Sequence, residues 1–262
     1  MLLAIDVGYT QTTLGLFDES GKVLRQWRMA SDKTDTADEL HERLYGYFHM
    51  FGLHLSQVSD VAISSVVPIL SQEWLYTMRH ILNAEDVLLV DAARDCGIVI
   101  DMSDPHAVGA DRVANAVAAR DTYGAPVIVV DFGTATNIDV VDAQGHFRGG
   151  AIMPGLRLSA GALFSQAAKL SSVPLVVPPH ALGDTTERAV QSGVVIGAAA
   201  QVEGLVSRIK GELGYECTVV GTGGFVETIA QATPLFDFID PNLTIRGVYT
   251  IWRHRAEKRA AR

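Results

Sequence analysis

The chain has 262 residues, 48% hydrophobic and 19% charged, enough for one large core or two modest ones. A net charge of −9 is a poor electrostatic footprint for nucleic acid, which rewards clustered Lys and Arg. Cys96 and Cys217, the only cysteines, are too few for a disulfide framework and lack any zinc-ligand spacing.

The N-terminus is apolar but reaches Asp6 at once, unlike a signal peptide. No apolar run reads as bilayer-spanning, so the expectation is a soluble, cytoplasmic chain without a membrane partner. Residues 2–6, 12–18 and 22–30 read as three strands of a meander, with Glu19-Ser20-Gly21 at the second turn. Thr36-Ala37-Asp38-Glu39 reads as a capping box that opens a helix through about residue 50. A buried strand over 58–67, closed by Pro68, a helix over 72–82 and a short strand over 87–90 follow. A helix over 111–122 leads into a second meander from 127 to 152. Helical stretches over 156–170 and 186–213 come next. A strand over 217–221 then ends at Gly221-Thr222-Gly223-Gly224 before another helix. The basic residues 253–262 read as a solvated helical tail.

One unit occurs twice in this order. Leu2-Leu3-Ala4-Ile5-Asp6-Val7-Gly8 and Val127-Ile128-Val129-Val130-Asp131-Phe132-Gly133 are apolar runs ending in Asp-x-Gly, followed by hydroxyl residues and a second strand. Each then reaches an acid and a turn, Asp18-Glu19-Ser20-Gly21 and Asp142-Ala143-Gln144-Gly145. A duplicated α/β architecture is expected, with mixed-sheet domains over residues 1–120 and 121–262 flanking a cleft. It resembles the duplicated ribonuclease-H-like fold of sugar kinases, actin and heat-shock ATPases.

The repeated unit points to phosphoryl transfer, because a strand-end carboxylate can hold a cation while glycine lets backbone N–H groups approach phosphate. A single Asp-x-Gly is equally an ordinary hairpin; its recurrence with the same acid shifts the balance. Gly109-Ala110-Asp111-Arg112 opens a helical pattern. Its arginine suits an anionic substrate and its aspartate a hydroxyl proton, although N-capping with a local ion pair explains the segment taken alone. Gly149-Gly150 and Gly155 permit close approach of a ligand or of backbone, and Gly221-Thr222-Gly223-Gly224 could cradle adenosine phosphates.

Over nearly its full length the chain resembles type III pantothenate kinase, the first enzyme of coenzyme A synthesis in many bacteria. The marks are Asp6 and Gly8 with Thr10 and Thr12, Thr36-Ala37-Asp38-Glu39, Ser64-Ser65-Val66-Val67-Pro68, Gly109-Ala110-Asp111-Arg112 and Asp131-Phe132-Gly133-Thr134-Ala135-Thr136. They continue with Gly149-Gly150, Pro154-Gly155, Thr186, Gln191-Ser192-Gly193 and Val202-Glu203-Gly204-Leu205. The resemblance implies that Asp6, Val7, Gly8, Tyr9, Thr10, Gln11, Thr12 and Thr13 bind ATP, with Asp6 toward Mg²⁺, and that Thr134 touches ATP. It implies Asp111 as the base that deprotonates the 4′-hydroxyl of pantothenate. The substrate would be lined by Met102, Gly109, Ala110, Asp111, Arg112 and Thr186. Asp131 would hold a monovalent cation, K⁺ or NH₄⁺, in a homodimer.

Three residues depart from the family pattern. Tyr9 replaces an asparagine, Met102 a tyrosine, and Asp184 a residue that is commonly basic. They motivate two alternatives: a divergent binding or regulatory protein with weak or no kinase activity, and a kinase for another small hydroxy acid.

Overall fold

The computed structural model describes residues 1–82, 84, 86–166 and 172–261. Residues 167–170, the end of the helix expected over 156–170, lie outside the described residues. The strands are β1 (Leu2–Val7), β2 (Gln11–Phe17), β3 (Val23–Ala30), β4 (Asp60–Ser65), β5 (Asp86–Leu89), β6 (Val127–Phe132), β7 (Ala135–Val141), β8 (Phe147–Pro154), β9 (Thr218–Thr222) and β10 (Phe238–Ile239). The helices are α1 (Ala37–Met50), α2 (Pro68–Tyr76), α3 (Ala110–Tyr123), α4 (Leu156–Gln166), α5 (Thr186–Gln191), α6 (Gly197–Leu213), α7 (Val226–Ala230) and α8 (Leu243–Ala260). The chain divides into two units, Met1–Ala118 with Leu243–Arg262, and Ala119–Asn242.

The first unit holds a five-stranded sheet in the order β3-β2-β1-β4-β5. Strands β1 to β3 form an antiparallel meander, and β4 and β5 add in parallel. Leu3, Ala4 and Ile5 of β1 are fully buried, as a central strand covered on both faces requires. β3 alternates, burying Trp27 and Met29 and exposing Arg28 and Ala30, as an edge strand with one wet face does. The Thr36–Glu39 capping box opens α1. Pro68 opens α2 at its first turn, where the missing N–H has no partner to lose. A π-turn, Thr77–Ile81, carries that helix on.

The second unit repeats this plan. Its order read from the other edge, β8-β7-β6-β9-β10, places an antiparallel meander beside two parallel strands. The register slips at the same place in both meanders, between Leu16 and Phe17 and between Val140 and Val141. The turns that follow are superposable in their bonding. Asp18 N donates to Lys22 O and Asp142 N to His146 O, while Gly21 (φ 84°) and Gly145 (φ 78°) take the left-handed conformation glycine favours. One difference lies in the leading hairpins. Val7 pairs with Thr12 across residues 8–11, but Phe132 pairs with Thr136 across 133–135, so the first hairpin is one residue longer.

Asp142, 2% exposed, accepts from Gln144 N (3.0 Å) and His146 N (2.9 Å) through Oδ1 and meets Arg148 Nη1 at 3.2 Å. Burial works to raise its carboxyl, but these donors outweigh it and hold the group below the usual range. Asp142→Ala leaves the donors unpaired and is expected to cost about 2–3 kcal/mol in urea unfolding at neutral pH. Because the folded value is depressed, the carboxylate's contribution is present above the unfolded value and fades as pH falls through the folded one. The variant's deficit should therefore shrink in acid.

One expectation is met and one is corrected. Of the segment 253–262, residues 253–260 are helical and solvated as read: they end α8, with residues 257–261 exposed, and α8 groups with Met1–Ala118, whereas the expected second domain ran from 121 to 262. Lys258 pairs with Asp95 and Arg259 with Asp86. The helical stretch Thr186–Leu213 is also long and apolar enough to cross a membrane by length and composition. Its α5 and α6 are joined by a π-turn, and Val195, Val202 and Val206 pack in the second unit's core.

Candidate active site

The candidate side chains fall in both units. In the first, β1 delivers Asp6 to the sheet end, where its Oδ1 accepts from the hydroxyl of Ser64 on β4 at 2.9 Å. Ser64 is fully buried, so the carboxylate is aimed by a fixed donor. Gly8 N donates to Gln11 O (3.1 Å), and a Cβ at Gly8 would stand 3.0 Å from that oxygen. Val7 sends its side chain into the core, leaving backbone to the loop. Thr12 is buried with its hydroxyl 2.8 Å from Ser31 Oγ, while Thr13 is half-buried. Tyr9, Thr10 and Gln11 are exposed. The Lys33 ammonium lies 5.4 Å from the centre of the Tyr9 ring, so a cation stands beside the residue that departs from the Asp-x-Gly-Asn-Thr pattern. A carboxylate and hydroxyls at the glycine-bearing β1–β2 hairpin, with an ammonium from the segment after β3, form a donor set for phosphate and its counter-ion.

Asp111 lies in the first turn of α3. Its Oδ1 accepts from Arg112 N at 2.8 Å, and a Cβ at Gly109 would stand 2.5 Å from the same oxygen. Only glycine at 109 leaves the carboxylate that space. Burial pushes the Asp111 carboxyl above the usual carboxylate range, against the Arg112 N–H and guanidinium, which pull it down. Such a carboxyl is a poised proton acceptor. Ala110 is buried, Arg112 half-buried at the same helix start, and Met102 half-buried in the segment before the 3₁₀ turn Pro105–Ala107.

In the second unit Asp131 occupies the place on β6 that Asp6 holds on β1, with Asn137 and Thr222 opposite it on the two neighbouring strands. Gly223 (φ +91°) has no room for a side chain against Asp131 Oδ1 and the Phe132 backbone. Thr134 is exposed at the hairpin tip, and Gly155 N donates to its carbonyl at 3.1 Å. A Cβ at Gly150 would overlap the Ile138 carbonyl, so that glycine serves backbone approach. Helix α7 has five residues, too short to focus a dipole on phosphate as the Gly221–Gly224 run suggests.

Thr186 is exposed at the start of α5, where Thr185 caps Arg188 N. Asp184 is neutralised by Arg188, whose Nη1 lies 2.7 and 2.8 Å from its two oxygens. The arginine holds the Asp184 carboxyl low. The sequence reading misses Lys33, Arg188, Ser64 as a donor and Thr222. Arg188 is legible as an i,i+4 partner of Asp184, whereas Ser64 and Thr222 come beside their aspartates only through strand pairing and Lys33 reaches Tyr9 from the segment after β3. Among the described residues no three His, Cys, Asp or Glu side chains gather, so a divalent ion would rest on one carboxylate plus ligand phosphates.

A family model described as type III pantothenate kinase matches residues 2–208. A type III pantothenate kinase of Thermomicrobium roseum is 42% identical over 259 residues, covering 98% of this chain and 99% of the relative. Among solved structures, a conserved putative Baf family transcriptional activator from Campylobacter jejuni aligns with a TM-score of 0.64 at 17% identity, over 97% of this chain and 99% of that one. The activator of the 2-hydroxyisocaproyl-CoA dehydratase from Clostridium difficile, with bound ADPNP, aligns at 0.58 and 14%, over 99% and 97%. These structural likenesses carry the fold alone, the duplicated α/β plan with its two mixed five-stranded sheets.

Proposed function

Since the chain belongs to the type III pantothenate kinase family, whose members phosphorylate pantothenate with ATP in coenzyme A synthesis, we propose which of its residues carry that reaction. Asp111 is the base: its carboxylate takes the proton of the pantothenate 4′-hydroxyl as that oxygen bonds to the γ-phosphorus and ADP departs. The observation that carries this is the half-buried Asp111 carboxylate at the start of α3, held by Arg112 N in the space Gly109 leaves. Arg112 pairs with the pantothenate carboxylate, and Gly109, Ala110, Met102 and Thr186 line the substrate. The Asp6–Thr13 loop binds the ATP phosphates, with Lys33 adding an ammonium where the family has an asparagine amide, and Thr134 touches ATP. Asp6 faces Mg²⁺ and Asp131 a monovalent cation, K⁺ or NH₄⁺. Bound cations supply charge that offsets the phosphates during transfer.

We place the enzyme in the cytoplasm as a homodimer, without nucleic-acid or membrane partners. The acidic charge supports the former exclusion and the core packing of Thr186–Leu213 the latter. Exposed small residues on that stretch, Gly193, Ala200, Gly204 and Gly211, support close approach of a second copy. A coupled assay tests the assignment. ADP release should require pantothenate and drop at least about tenfold when K⁺ is replaced by choline. Release indifferent to the cation would remove Asp131 from the scheme.

A further inference from the structure

The duplication supplies an internal comparison at the two strand-end aspartates. In the first unit Asp6 is opposite Ser64 on the adjacent parallel strand, and the serine hydroxyl donates to the carboxylate at 2.9 Å. In the second unit Asp131 is opposite Thr222 on the adjacent parallel strand, the same place in the repeated plan. Residues opposite one another on paired strands share a sheet face, so a hydroxyl again stands beside the carboxylate. Here the bond is missing. Thr222 is 1% exposed, and among the described residues no group hydrogen-bonds its Oγ1. A buried hydroxyl without a partner is unfavourable and calls for an explanation.

The surroundings limit what the explanation can be. Asp131 Oδ1 lies against Gly223 and 3.7 Å from where a Gly133 Cβ would stand, so glycine flanks the carboxylate on both sides. Side chains there would fill the space next to the carboxylate. Among the described residues no cluster of three acidic, His or Cys groups is present, which argues against a transition ion held by the protein alone. One carboxylate beside one neutral hydroxyl suits a singly charged ion that takes oxygen ligands. We propose that Thr222 Oγ1 is a ligand, together with the Asp131 carboxylate, of the monovalent cation; this rests on the reading of Asp131 given above. The two halves have then diverged in one bond: Ser64 spends its hydroxyl on orienting Asp6, while Thr222 keeps its oxygen for the ion.

The test is thermal unfolding of the ligand-free protein titrated with KCl against choline chloride at matched ionic strength, which reads binding without turnover. Wild type should gain stability with K⁺ beyond the choline control. Thr222→Val, of the same shape without the oxygen, should be at least as stable as wild type in choline. It should need about tenfold or more K⁺ for half of the gain, while Thr222→Ser stays near wild type. Asp131→Asn should lose the K⁺ gain. A wild-type K⁺ titration in Thr222→Val, with the gain lost in Asp131→Asn, overturns the role of Thr222 and leaves that of Asp131 standing. A K⁺ gain that survives in Asp131→Asn, or is absent from wild type, overturns both. Should the valine variant not fold, Thr222→Ala is read by the same criteria.

Discussion

Asp111→Asn is expected to lower pantothenate-dependent ADP release by about a thousandfold while leaving the fold intact. Asparagine keeps the shape and can accept from Arg112 N, but it cannot take a proton at neutral pH. The pH profile supplies a second reading. Burial holds the Asp111 carboxyl above the usual carboxylate range, and the base must be ionised to act. As pH falls through that raised value the carboxylate is protonated, so kcat/KM falls on an acid limb displaced upward from an ordinary aspartate. Stability runs in the opposite sense. A raised folded value favours the neutral carboxyl, so its contribution is full below the unfolded value and is lost as pH rises through the folded one. Asp111→Asn should therefore be at least as stable as wild type at neutral pH by urea unfolding. Near-wild-type turnover in this variant would remove Asp111 as the base, and an acid limb in the ordinary aspartate range would remove its burial as the cause.

Gly247→Ala is expected to destabilise the protein by about 3 kcal/mol, against the sign that helix propensity gives. In the interior of α8, glycine to alanine alone should gain about 1 kcal/mol. But Gly247 is buried where α8 crosses α3, and a Cβ there would overlap the carbonyl of Ala114. The helix has to lift, and its other anchors move with it. Ile245 stands over Gly15 of β2, and Tyr249 stacks on Phe17 with ring centres 4.5 Å apart. A lowered urea midpoint at unchanged slope is the expected outcome. A raised midpoint would show that propensity outweighs the contact.

Much of the fold is legible because its signals are local. The Asp-x-Gly hairpins, the Asp-to-Gly turns and the Thr36–Glu39 box each lie within a few residues, and each forms as read. What fails to show depends on distant partners. Of α8 only the basic residues 253–262 read as a helix, because Arg246, Arg253 and Arg255 interrupt the apolar positions Ile245, Val248 and Ile251. Their helix is justified by β1, β2 and β4, encoded at the other end of the chain. The candidate site divides the same way. Asp6, Asp111 and Asp131 announce themselves beside glycines, but Thr222 hides in a run read for its glycines. Its significance comes from strand β9 lying beside β6. The boundary near Pro68 misleads for a local reason, since proline serves equally to end a strand and to begin a helix.

The placement of α8 bears on how the molecule is made. Residues 1–118 leave the ribosome before Ala119–Asn242, yet the helix that covers their sheet follows only after the whole of that unit. The later-encoded unit is continuous and has all its strands and helices before the earlier one does. During synthesis the N-terminal sheet therefore waits with the surface meant for Ile245, Val248 and Ile251 uncovered, and a chain released early would be incomplete in its first half rather than its second.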